Sequence, residues 1–151
     1  MASTRDERVP EPEVWTARLR DFVHECVGSA AGDEAERVRE AARLFAYGAS
    51  AGTSGYAIDP AVIDAMLACG ATESAVISML WPEAVFMVSR GQGNSCLATV
   101  IAGPGGEEII CEGPSIALAL LSAYSAALLS ELEEGSQSAG VRFSEGASRL
   151  H

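Results

Sequence analysis

The sequence predicts an α+β fold: a three-stranded antiparallel sheet packed by a C-terminal helix, with two N-terminal helices docked beside it. Three observations carry this. Apolar residues recur with a 3.6-residue period through the first third of the chain. The pattern then changes to short β-rich runs divided by Gly-rich turns. A long Ala- and Leu-rich segment with helical spacing follows them.

Residues 1–11 are polar and read as a flexible lead into a single domain over 12–135. The first helix starts near Pro12, a residue favoured in a first helical turn. Trp15, Leu19, Phe22, Val23 and Cys26 share its apolar face, and Gly28 stops it. Asp33 is placed to cap the second helix, with Glu36 three residues on as in a capping box. Val38, Ala41, Ala42 and Phe45 form its buried stripe, and Gly48 closes a helical hairpin over 12–48. Asp33/Arg37, Arg37/Glu40 and Glu40/Arg43 are opposite charges at helical spacing and read as a solvated face. Ala49 to Tyr56 is a Gly- and Ser-rich loop.

The second part, 59–134, reads as a sheet-plus-helix core. Asp59-Pro60 and Gly70 bound a short helix over 60–69. Thr72 caps another over 73–80, which Trp81-Pro82 breaks. Strands follow at about 84–90, 96–102 and 107–111, joined by Gly91–Asn94 and Gly103–Gly106. If Ala102 and Glu107 flank the second loop, Cys111 faces Ala98, and Cys96 lies diagonal to Cys111. Diagonal neighbours are about 7–8 Å apart, too far for a disulfide. Gly113-Pro114 opens the last helix, 115–134. Ile116, Leu120, Leu121, Tyr124, Leu128 and Leu132 make its apolar stripe, for which an exposed dimer face is the rival to a core. Gly135 reads as its stop and 136–151 as a flexible tail, which leaves Glu131, Glu133 and Glu134 in a last turn where the helix dipole disfavours them.

Composition narrows function. The chain has 151 residues, 48% of them hydrophobic, enough for one real core. Its ten basic residues are all Arg and face 21 acids, a net charge of -11. That excludes a grip on nucleic-acid backbones and on anionic lipid. Between Gly48 and Val141, Arg90 is the only base against ten acids. Glu107, Glu108, Glu112, Glu131, Glu133 and Glu134 therefore form the candidate acidic surface, suited to steering a basic protein partner. No direct nucleic-acid or membrane contact is expected.

Catalytic signals are thin. The sequence holds no HExxH, G-x-S-x-G or P-loop. His24 and Cys26 sit on one helix but do not converge, and His151 ends the chain. Cys26, Cys69, Cys96 and Cys111 show no ligand spacing, so reduced thiols, no metal and no cofactor are expected. The N-terminus lacks a signal-type apolar stretch. The longest apolar run, Ile116 to Leu129, is shorter than the roughly 20 residues a bilayer needs. Both point to the cytoplasm.

TESAVISMLWPEAVFMVS and GPSIALALLSAYSAALL, within Thr72 to Leu129, resemble a family of phage and prophage proteins, the phage ABA-sandwich domain. Its members show a short helix ending in a Pro-Glu step, a three-stranded meander, and a helix that opens with proline and runs Ala-Leu-Ala-Leu. After Glu83 they usually continue Gly-Trp, where this chain has Ala84-Val85. The resemblance implies that fold and a phage or prophage setting. It brings no catalytic residues, since the family has no established activity. The resulting expectation is a small acidic accessory protein that binds another protein without catalysis, with a homodimer left open. The alternatives are an inhibitor of a host nucleic-acid enzyme or defence complex, anti-CRISPR-like, whose acids imitate a phosphate backbone, and an enzyme of unrecognised type.

Overall fold

The computed structural model describes the backbone of residues 12–50 and 58–148, and side-chain surroundings within 13–48 and 58–135. The expected lead at 1–11, residues 51–56 of the expected loop, and residues 149–151 of the expected tail lie outside the described residues.

The expected fold class is present. Helices α1 (Pro12–Val27), α2 (Glu34–Ser50), α3 (Pro60–Ala68) and α4 (Thr72–Met79) come first. Strands β1 (Val85–Arg90), β2 (Cys96–Ile101) and β3 (Ile109–Gly113) follow, then helix α5 (Ile116–Ser148). The strands form one antiparallel meander in the order β1-β2-β3. Cys111 lies opposite Ala98, as the loop length requires, although β3 starts two residues later than the sequence suggests. The delay is local to the turn. Gly105 adopts a left-handed φ of +72°, and the Gly106 N–H donates to Gly103 O at 3.0 Å.

The centre of the molecule is α5, with the sheet on one side and α1, α2 and α4 on the other. This explains why its first four turns are apolar all round. Leu118, Leu120, Leu121 and Tyr124 point in different directions, and each is buried. The stripe is therefore core and not an exposed dimer face. Ser122 is buried as well and lies against Cys26 of α1. Ile116–Gly135 is long and apolar enough, by length and composition, to cross a membrane. In this fold most of that segment is covered by the sheet and the helical layer.

Several local expectations change. Thr72 lies inside α4, whose N-cap is Ala71 with no side-chain cap bond. Gly135 does not stop α5, which runs on to Ser148 through the stretch expected to be a tail. Glu131, Glu133 and Glu134 are thus mid-helix, away from the negative end of its dipole, and the misplaced-charge problem disappears. Gly48 does not close α2, which continues to Ser50. Its role is steric, because the Trp15 indole packs directly on it. Asp33 is not the cap of α2. It ends a 3-10 turn (Ala31–Asp33), where its carboxylate accepts from the Ala30 N–H at 3.0 Å.

Side-chain bonds tie the helical layer together. Arg37 of α2 pairs with Glu25 of α1 and with Glu40, and donates to Ser29 Oγ. Asp33/Arg37 and Glu40/Arg43 are not among the ion pairs of the described residues; Arg39–Asp64 and Arg20–Glu133 are. The last joins α1 to α5 at 3.0 Å. Below them, Tyr124 stands edge-on to Phe45 with ring centres 5.5 Å apart, and its hydroxyl accepts the Trp81 N–H at 3.1 Å. Burial pushes the Tyr124 phenol well above its ordinary value, so it stays neutral.

Candidate functional site

The antiparallel register divides the sheet into two unlike faces. Cys96, Ala98 and Val100 of β2 point inward to α5 and are buried. The other face has no covering layer among the described residues. There Met87, Thr99 and Ile110 form one row, with Ser89, Leu97 and Glu112 beside it and Val85 opposite Ile101 on the other side. Met87 is 72% exposed, Val85 64%, Ile110 61% and Leu97 45%. Met87, Leu97 and Ile110, with Val88, Ser89 and Thr99, line a shallow depression of about 210 Å³. Single exposed apolar residues are ordinary on a protein surface. A contiguous set on one face is the kind of surface that binding partners cover.

The six expected acidic positions do not make one surface. Glu112 lies on the open sheet face, held by the Ser95 hydroxyl, and exposed Glu108 directly precedes β3 at the same edge. These two acids flank Ile110. The others gather around α5. Glu107 accepts from Ser130 Oγ at 3.0 Å, and Glu133 is occupied by Arg20. Glu131 is partly buried under the Gly103–Gly106 loop, where its Oε1 lies beside Gly103 and Gly106. Burial, then the charge of Glu134, holds its carboxyl above the usual carboxylate range.

That last pair gives a directional test. The raised value means that the ionised form of Glu131 fits the fold worse than the unfolded chain. Its stabilising contribution is present below the unfolded carboxylate pKa and is lost as pH rises through the raised one. Glu131→Gln should therefore melt at a higher temperature than the parent at pH 7. The gap should close as pH falls through the carboxylate range, in paired thermal melts from pH 7 to 4.

A groove of about 380 Å³ lies between α1 and α2. Phe22 and Leu44 line its apolar part, with Arg43, Glu25 and Glu40 also on its walls. Arg18 lies over the Tyr47 ring at 4.9 Å. Glu25 is held above the usual carboxylate range, first by the charge of Glu40 and then by burial, against the opposing charge of Arg37. Since Arg37 already pairs with both acids, this carboxylate cluster works as a clasp between the two helices.

The thiols offer no nucleophile at His24. Cys26 faces the core beside Ser122, and burial pushes it up to about 12, so it is protonated at neutral pH. His24 is exposed on another side of the same helix. Cys96 is buried, Cys111 half-buried and Cys69 exposed, all as free thiols. Burial also raises the Cys111 thiol. Among the described residues no group of three or more His, Cys, Asp or Glu is placed to hold a metal ion.

The sequence reading missed the apolar sheet face. VFMVSR is apolar at four successive positions, so β1 shows no alternation of its own. The signal lay in β2, where Cys96, Ala98 and Val100 face in, and Leu97, Thr99 and Ile101 fall on the opposite side.

No protein-family model matches this chain, and neither a curated protein nor a solved structure does so.

Proposed function

We propose that this chain is a non-catalytic protein-binding module that docks its partner on the open face of the sheet. The carrying observation is the exposed apolar group Val85, Met87, Leu97 and Ile110, bordered along β3 by Glu108 and Glu112. The apolar centre supplies the area to be desolvated. The acidic border selects a partner whose apolar anchors lie beside Arg or Lys. The phosphate-mimic alternative needs a row of carboxylates on one surface. The six acids fall on two faces, and Glu133 is already paired, so docking on the sheet is the better-supported reading. A phage or prophage accessory role in the cytoplasm is the setting that the resemblance of Thr72 to Leu129 suggests.

Comparative capture tests this. The parent chain, the Met87→Glu/Ile110→Glu double variant and a Glu36→Gln control are each used as bait in lysate of the source cells. Proteins held by the parent and the control, but lost from the double variant and released by salt, are the expected result. Identical capture by all three would remove the sheet face from consideration.

A further inference from the structure

From the groove between α1 and α2 we infer that this chain has a small-molecule site whose ligand is a zwitterion, an ammonium and a carboxylate about 10 Å apart on an apolar body. The inference stands apart from the docking reading, because the groove belongs to the helical layer and the docking face to the sheet. At about 380 Å³ the groove falls within the roughly 300–1,000 Å³ of small-molecule pockets. Phe22, which is buried, and Leu44, which is half-buried, give it an apolar middle.

Charge is separated along its length. Glu25 and Glu40 share Arg37, and Arg18 lies over Tyr47, so α1 and α2 run in opposite directions and hold these two pairs at opposite ends. Arg18 is seven residues before Glu25, and Tyr47 is seven after Glu40. At roughly 1.5 Å per residue, either helix sets the ends about 10 Å apart. One guanidinium does not neutralise two carboxylates. Asp21, a turn before Glu25, adds a third and belongs to no ion pair of the described residues. The excess is felt at Glu25, whose raised carboxyl reflects the charge of Glu40 first and that of Asp21 as well. A ligand ammonium placed there relieves the repulsion. The other end is the reverse. Arg18 and Arg43, a turn before Tyr47, are exposed and have no carboxylate partner among the described residues. The Tyr47 ring holds the Arg18 guanidinium 4.9 Å from its centre and leaves the N–H fork to a carboxylate. A simple cation would leave these guanidinium groups unmatched, and a simple anion would meet the acids.

Calorimetric titration of the purified full chain provides the test, with ω-aminooctanoic acid, octylamine and octanoic acid as probes. They share a methylene body and differ in their charged ends. The zwitterion should bind at least about fivefold tighter than either single-ended probe. Arg18→Gln should remove its advantage over octylamine, and Glu25→Gln its advantage over octanoic acid. Both positions are exposed, and circular dichroism melts establish that each variant is folded. The Met87→Glu/Ile110→Glu variant should bind the zwitterion as the parent does, which separates this site from docking on the sheet. A zwitterion that fails to bind at millimolar concentration would overturn the inference. So would a single-ended probe that binds as tightly, zwitterion binding that neither groove variant weakens, or its loss from the sheet variant.

Discussion

Leu121→Ala is expected to cost about 2–5 kcal/mol, a large part of the roughly 5–15 kcal/mol that holds a domain of this size together. Leu121 is fully buried in α5, which has the sheet on one side and three helices on the other. A void there cannot be relieved by moving one surface element, since every neighbour of α5 is itself fixed against it. The melting temperature should fall by on the order of 10 °C, read by calorimetry or circular dichroism. Leu128, 5% exposed and further along the helix, should show the same sign with a smaller loss. A folded variant with an unchanged melt would mean that α5 is not the centre of the core.

The second large effect comes from adding atoms. Gly48→Ala should destabilise the protein by at least about 1–3 kcal/mol, the usual range for overpacking. In an ordinary helix the same change gains about 1 kcal/mol, so the sign is diagnostic. A Cβ at Gly48 would lie 2.3–2.6 Å from three atoms of the Trp15 indole. The ring cannot slide aside freely, because its Nε1–H donates to Leu44 O at 2.8 Å and the side chain is fully buried. Gly32→Ala is the matched control, since nothing lies within 4 Å of a Cβ there. Chemical denaturation of both variants should show a marked loss for Gly48 and little change for Gly32.

Gly48 also shows where sequence reading stops. A glycine after an amphipathic run reads as a helix end, because backbone freedom is the commonest reason for one. Here the reason is contact with a residue 33 positions earlier, which no local pattern reveals. Gly135 also reads as a helix end, yet α5 passes through it with open space around the position. The β2–β3 register was legible because two short runs joined by a tight Gly-Pro-Gly-Gly loop leave little freedom in their pairing. The buried faces of α1 and α2 were legible for a similar reason: their amphipathic period is complete within each helix. The acidic residues were counted correctly, but their grouping depended on which side of the sheet α5 would take. The apolar face was hidden because apolar residues in a strand are expected to point inward, and β1 carries them on both sides.

The docking face is tested most directly by placing a photo-activated cross-linking residue at position 87, where Met87 is 72% exposed, and a second at exposed position 36 on α2 as control. The cells that express the chain are then irradiated. The docking proposal predicts a discrete product from position 87 whose mass exceeds that of two copies of the chain, weakened when Glu108 and Glu112 are both changed to Gln, with no such product from position 36. Equal cross-linking from both positions, or none from 87 beyond the chain itself, would contradict it.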